Sequence, residues 1–252
     1  MLVAVALMLS GCGEALPLTV DIPDANFLAA LPDDIKDGNG QVLRAKAAEI
    51  TVLDVSEKEI VSLAGIEAFT ALEELDCSMN FVLSELDIAQ NPALVKLDCA
   101  INSLTKLDVS GNPALTRLSC EMNQLTALDV TQNPELEVLA FGRNFIKVLD
   151  TTQNPMLATL FCYSNELTEL DVTKNSALRF LSCTRNSLAE LDLSENSSLE
   201  WLHCNSNRLQ KLDISGNPSL NTLVCGDNLF EGAEDIIGCE GILERGGMIE
   251  FD

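Results

Sequence analysis

Residues 104–123 read LTKLDVSGNPALTRLSCEMN, and the same landmarks return every 21 residues along most of the chain. Asn102, Asn123, Asn144, Asn165, Asn186, Asn207 and Asn228 form one column, and Asn91, Asn112, Asn133, Asn154, Asn175, Asn196 and Asn217 a second. Cys77, Cys99, Cys120, Phe141, Cys162, Cys183, Cys204 and Cys225 form a third. A short fixed period means a solenoid, in which each coil buries its apolar residues only by stacking on its neighbours. The alternation inside a coil is that of extended chain. Leu97 and Cys99 are expected inward with Lys96 and Asp98 outward, then Leu107 and Val109 inward with Lys106 and Asp108 outward. Each coil should therefore hold two extended segments. An asparagine closes each segment, and its amide can bond backbone groups of adjacent coils that would otherwise be buried unpaired.

The repeats occupy residues 50–228. Their first coil is 22 residues from Leu53 to Leu75 and has Lys58 where later coils have asparagine, as expected of an end unit that faces a cap. Residues 12–49 read as a tether and a short α-helical N-terminal cap. Asp24 can cap a helix whose Phe27, Leu28 and Leu31 share a face, Pro32 ends it, and a second helical run covers 45–49. Residues 229–252 lose the pattern and read as a C-terminal cap. There Phe230, Ile236, Ile237, Ile242 and Leu243 should cover the last coil, and 248–251 should pair as a final strand.

From Leu72 onward the coils follow L-x-x-L-x-C-x-x-N-x-L-x-x-L-D-V-S-x-N-P. This pattern is similar to the leucine-rich repeat, and cysteine in the sixth place resembles the cysteine-ladder type found in bacterial surface proteins of the internalin kind. The resemblance covers residues 50–230 and implies a β-rich leucine-rich-repeat solenoid. It leaves the ligand open, because leucine-rich repeats serve many partners.

Residues 1–11, MLVAVALMLSG, are apolar and uncharged, too short for a membrane span, and run into Cys12. Leu9, Ser10, Gly11 and Cys12 resemble the bacterial lipobox, although no basic residue stands near Met1. That resemblance implies cleavage of 1–11 as a lipoprotein signal peptide, acylation of Cys12, and a lipid-anchored place in the bacterial cell envelope, most simply the outer membrane or cell surface. With 15 basic and 39 acidic residues, a net charge of −24, the chain repels phosphate backbones, which argues against nucleic acid.

Nine cysteines in an exported chain would ordinarily suggest disulfides. Seven of them share one inward column, however, where neighbours about 4.8 Å apart point the same way. Packed, reduced thiols suit that geometry better than crossed disulfides do, and Phe141 in the same column fits packing. The outward column Asp87, Asp108, Asp129, Asp150, Asp171, Asp192 and Asp213 repels itself by roughly 1 kcal/mol per pair in water. A hydrogen bond to the serine or threonine two residues on would offset this without calcium. A loop with Asp37, Asn39 and Gly40 resembles an EF-hand site, but Ile35 and Lys46 stand where that site needs its first ligand and its bidentate carboxylate, so a metal-free turn is expected.

On the face of the first segments the early coils carry charge, Glu74, Asp76, Lys96, Asp98 and Arg117, and the late coils carry aromatics. Phe161, Tyr163, Phe180, Trp201 and His203 are the candidate ligand-binding residues, with Phe180 and Trp201 at one strand position on consecutive coils. His203 is the chain's single histidine and lies near no nucleophile motif, so neither catalysis nor a cofactor is expected. These features suit a lipid-anchored protein whose concave sheet binds a protein or a glycan. The competing expectation is a structural or calcium-stabilised envelope spacer. On the metal-free reading, exchanging millimolar calcium for a chelator should move the melting temperature by less than about 3 °C, the equivalent of roughly 1 kcal/mol for a chain of this size. A rise of ten degrees or so with calcium would make the aspartate column a metal site.

Overall fold

The computed structural model describes residues 17–250, so residues 1–11, Cys12 and Phe251 lie outside the described residues. The chain opens with β1 (Thr19–Val20), α1 (Ala25–Ala30), β2 (Val42–Leu43) and α2 (Arg44–Ala47), and β1 and β2 pair antiparallel. Asp24 caps α1, one carboxylate oxygen accepting from the Asn26 and Phe27 N–H groups at 2.9 Å. Its other oxygen accepts from Val61 and Ser62 at 2.8 and 3.1 Å, so one side chain both starts the helix and ties it to the first coil. Phe27 is buried 6.4 Å from the Phe69 ring, Leu31 is buried, and Leu28 is partly so. The Asp37 loop closes on itself, with Asp37 accepting from the Asn39 and Gln41 N–H groups at 2.8 and 2.9 Å.

The first segments form one parallel sheet. Its strands are β3 (Val52–Asp54), β4 (Glu74–Asp76), β5 (Lys96–Asp98), β6 (Arg117–Ser119), β7 (Val138–Ala140), β8 (Thr159–Phe161), β9 (Phe180–Ser182) and β10 (Trp201–His203), continued by β12 (Thr222–Val224) and β14 (Met248–Glu250). Pairing is in strict repeat register, so Asp76 lies beside Asp98 and Trp201 beside Phe180. The leucine and cysteine columns are buried throughout, with Phe141 taking a cysteine's place at no exposure. All the ladder cysteines are free thiols, and burial pushes them up, Cys183 to about 12, which leaves them unreactive at neutral pH.

Asparagine amides join the coils as the spacing suggests. Asn123 Nδ2 donates to Cys120 O in its own coil and to Cys99 O in the preceding one, at 3.1 and 3.0 Å, while its Oδ1 accepts from Leu104 N at 2.9 Å. The residue before each such asparagine is left-handed: Met79, Ile101, Met122, Arg143, Ser164, Arg185, Ser206 and Asp227 have φ between 50° and 59°. This conformation costs non-glycine residues about 1 kcal/mol each. It turns their N–H groups onto the next coil, as in Ile101 N to Glu121 O at 2.8 Å.

The second segments keep their inward and outward alternation, Leu107 and Val109 buried and Lys106 and Asp108 exposed. Among the described residues they form hydrogen-bonded strand only at the end of the stack, where β11 (Leu212–Asp213) pairs with β13 (Ile236–Ile237). Elsewhere asparagine does the joining: Asn112 Nδ2 donates to Ile88 O and Asn91 O at 3.0 and 2.9 Å. Oδ1 of Asn91, Asn112, Asn133, Asn154, Asn196 and Asn217 is buried without a protein partner. Asn175 differs. Thr151, in a column otherwise filled by Ile88, Val109, Val130, Val172, Leu193 and Ile214, donates its hydroxyl to Asn175 Oδ1 at 2.8 Å.

The C-terminal segment completes one further, irregular coil, adding β13 and β14 to the stack with α3 (Glu240–Glu244) between them. Ile236 and Ile242 are buried and Phe230 packs on the core, but Ile237 and Leu243 point outward, contrary to expectation. Strand alternation turns Ile237 away from Ile236, and the helical step turns Leu243 away from Ile242.

Threonine to valine in a core ordinarily removes a poorly solvated hydroxyl, so the sign of the effect at position 151 is informative. Thr151→Val should destabilise by about 1 kcal/mol in chemical denaturation, because it leaves Asn175 Oδ1 unpaired. Val130→Thr, which would put a hydroxyl beside Asn154 Oδ1, should be near neutral. A Thr151→Val protein as stable as the parent would mean that this bond contributes nothing.

Candidate binding face

Sheet hydrogen bonds hold the first segments together while most second segments lack them, so the sheet is the concave side and its outward side chains crowd. On the early coils Lys96 donates to Glu74 at 2.7 Å, and Arg117 follows them in the first-position column, which therefore carries no excess of negative charge. Negative charge remains in the third-position column of Asp54, Asp76 and Asp98, which lie side by side. Asp54 and Asp76 each accept from a serine hydroxyl two residues on, Ser56 and Ser78, at 2.7 Å. Asp98 has Ala100 at that place and accepts from its N–H at 3.0 Å. Burial, and then the Asp76 carboxylate, push Asp98 above the usual carboxylate range. Burial also raises Glu121, against the Tyr163 hydroxyl and Arg143. Asp54, Asp76 and Asp98, with Glu74 and Lys96, bound a shallow depression of about 270 Å³ that reaches from Val52 to Arg117 and Ser119; Glu121 lies outside it.

On the later coils the five candidate residues are all half-buried, and they divide into three groups instead of forming one platform. Trp201 leans diagonally across β9 to meet Phe161 edge-on at 6.2 Å, and His203 lies 3.5 Å from the Trp201 ring. The buried Ser182 between Phe161 and His203 in the third-position column leaves room for this. Phe180 sits beside Trp201 in the sheet, but its ring faces the Arg179 guanidinium at 5.5 Å. Tyr163 turns toward the early coils, its ring over Gly142, where a Cβ would fall within 2.5 to 2.8 Å of ring atoms, and its hydroxyl toward Glu121. The cluster is thus Phe161, Trp201 and His203, with Tyr163 belonging to the acidic neighbourhood. Strand position alone locates Asp98, Glu121, Ser182 and Gly142 on this face. The one clue to their roles was that alanine, serine and glycine interrupt columns of larger residues.

Burial lowers the His203 pKa while Glu250 pulls it up. The largest surface clefts, about 710 and 630 Å³, lie on the opposite side between second segments. Their aspartates are engaged locally: Asp150, Asp171 and Asp213 accept from the hydroxyl two residues on at 2.6 to 2.7 Å, as expected, and Asp192 accepts from the Ser194 N–H at 2.9 Å; Asp129, on an earlier coil, accepts from its Thr131 hydroxyl in the same way. Among the described residues no group of three or more histidines, cysteines and carboxylates converges as a metal site would require.

No protein-family model matches the chain, and no curated protein matches its sequence. Solved structures do match. The functional domain of InlJ from Listeria monocytogenes, which includes a cysteine ladder, is 28% identical over 85% of this chain and 59% of that one, with a TM-score of 0.47. A leucine-rich-repeat protein of Leptospira interrogans is 23% identical over 75% of this chain and 50% of its own, with a TM-score of 0.67. Internalin C2 of L. monocytogenes is 16% identical over 95% of this chain and 100% of its own, with a TM-score of 0.69. The chain has the leucine-rich-repeat fold, and internalin-like proteins are its structural neighbours. It spans between half and three-fifths of the length of the first two matches.

The two faces couple protonation to folding with opposite sign. Asp129, Asp150 and Asp171 are lowered by hydrogen bonds from the threonines two residues on, so the stability they contribute is present above the ordinary aspartate pKa and is lost as pH falls through their folded values. Asp98 and Glu121 are raised, so once ionised they oppose folding; that penalty is full above their folded values, shrinks as pH falls through them, and is gone below the ordinary carboxylate range. Asp98→Asn should therefore raise the melting temperature at neutral pH and not in acid, whereas Asp129→Ala should lower it at neutral pH. Equal destabilisation by Asp98→Asn at both pH values would show that its carboxylate is a structural acceptor, not a burden.

Proposed function

We propose that this chain is a binding protein whose concave face, centred on β8 to β10, takes a protein or glycan ligand and performs no chemistry. We further propose that it is displayed at the bacterial cell envelope by a lipid on Cys12. The observation that carries the reading is the Phe161, Trp201 and His203 cluster, packed ring to ring outside the core on the sheet's open face. The fold needs leucine, cysteine and asparagine at fixed places, and it needs no aromatic there. Rigid aromatics give up large contact area at little entropic cost, which is why they dominate many interfaces. Phe180 and Tyr163 flank the cluster. His203 acts in it as a contact residue, its ring spent in stacking. The calcium-stabilised spacer is the weaker reading, because the aspartates it would recruit already accept hydrogen bonds from their own coils.

The chain's single tryptophan lies in the cluster, so its emission should change when a ligand recovered by pull-down with the anchored protein is added. Trp201→Ala and Phe161→Ala should each weaken that ligand by about 2 kcal/mol, roughly thirtyfold, in calorimetry. Their melting temperatures should stay close to the parent's. Variants that bind as tightly as the parent would place the ligand elsewhere.

A further inference from the structure

The concave face changes character along its length. In its early half, Asp54, Asp76 and Asp98 stand in register and Glu121 follows β6. The cations near them are Lys58 close to Asp54, Lys96, already tied to Glu74, Arg117 in the same depression, and Arg143 beside Glu121. With Glu74 the five carboxylates outnumber these four cations, and among the described residues Asp98 has no ion-pair partner. Its later half presents Val138, Phe161 and Trp201, all half-buried. Resting on the concave-face reading above, we propose that the ligand is a basic, extended segment of a partner protein lying across the strands. Lysine or arginine would sit over Asp76, Asp98 and Glu121, and an apolar side chain against Phe161 and Trp201.

Charge complementarity selects this class. A cation over Asp98 and Glu121 would relieve carboxylates that burial and their neighbours hold at a cost, whereas an acidic partner would add to it. A neutral sugar could stack on the aromatics but would have no use for the acidic half, and a phosphorylated or sulfated one would be repelled. The spacing sets the length. From β5 to β10 is five strand intervals, about 24 Å, which an extended segment crosses in roughly seven residues. The basic and apolar positions, on β5 and β8, should be separated by about four residues.

Panning displayed random peptides of about a dozen residues against the full chain tests this directly. Enriched sequences should pair lysine or arginine with an aromatic or aliphatic residue about four positions away. Asp98→Asn with Glu121→Gln should weaken them about tenfold and flatten their salt dependence, and Trp201→Ala should weaken them at least as much. Thermal melts of the same variants exclude unfolding as the cause. Enriched peptides that lack basic residues, need Trp201 and ignore the acid variants would overturn the basic-ligand inference while leaving the concave site standing. Peptides indifferent to Trp201→Ala would overturn the concave site itself. A pool without enrichment overturns the inference, and neutral oligosaccharides binding in a Trp201-dependent manner would then assign the face to glycans.

Discussion

Besides sheet pairing and the buried leucine and cysteine columns, each coil is tied to its neighbour by asparagine amides. An asparagine Nδ2 bridges a carbonyl of its own coil and a carbonyl of the coil before it, as Asn123 bridges Cys120 and Cys99. Because both partners are main-chain oxygens, the contact survives any change in the surrounding side chains. Each bond contributes about 1 kcal/mol net, but leaving those buried carbonyls unpaired would cost more, so an asparagine can scarcely be replaced. The same demand explains the left-handed residue in front of it. Only that backbone turn brings asparagine inward while sending the preceding N–H to the next coil, and the interaction it gains offsets a conformational cost that recurs even at the β-branched Ile101.

The two asparagine columns are not equivalent, and the shape of the molecule follows from the difference. On the sheet side, backbone pairing and asparagine act together and draw the coils close. Opposite it, asparagine works largely alone, several of its oxygens lack protein partners, and clefts open between segments. Crowding on one side and spreading on the other give aspartate two behaviours within one repeat. On the spread side Asp129 and its neighbours are solvated and bonded by their own threonines, which lowers them. Asp98, buried on the crowded side and then pushed further by the Asp76 carboxylate, is raised.

The solenoid was legible because its requirements repeat. Leucine, cysteine and asparagine columns announce themselves by period, and the Asp-x-Ser/Thr bonds by local spacing. What the sequence hid was the orientation of residues that occur once. Phe180 and Trp201 share a strand position, yet Trp201 meets Phe161 two coils away because Ser182 is small and Arg179 holds the Phe180 ring. Tyr163 turned away from its expected partners because Gly142 left a space for its ring. Left-handed backbone was hidden too, since Met, Ile, Arg and Ser give no sign of it, and so was the one hydroxyl, on Thr151, that completes an otherwise unpaired asparagine.

These two kinds of position separate what the stack requires from what it leaves free. Everything that stacks the coils is specified at inward and turn positions, which vary little from coil to coil. Outward positions on the sheet are constrained only by size and by their neighbours, so identical coils carry Asp98 at one level, Ser119 at the next and Phe161 farther on. Since Ser119 fills the same place with no charge, the stack does not need the Asp98 carboxylate. Burial disfavours that carboxylate, so its presence at this one level is a cost that the stacking of the coils does not itself call for.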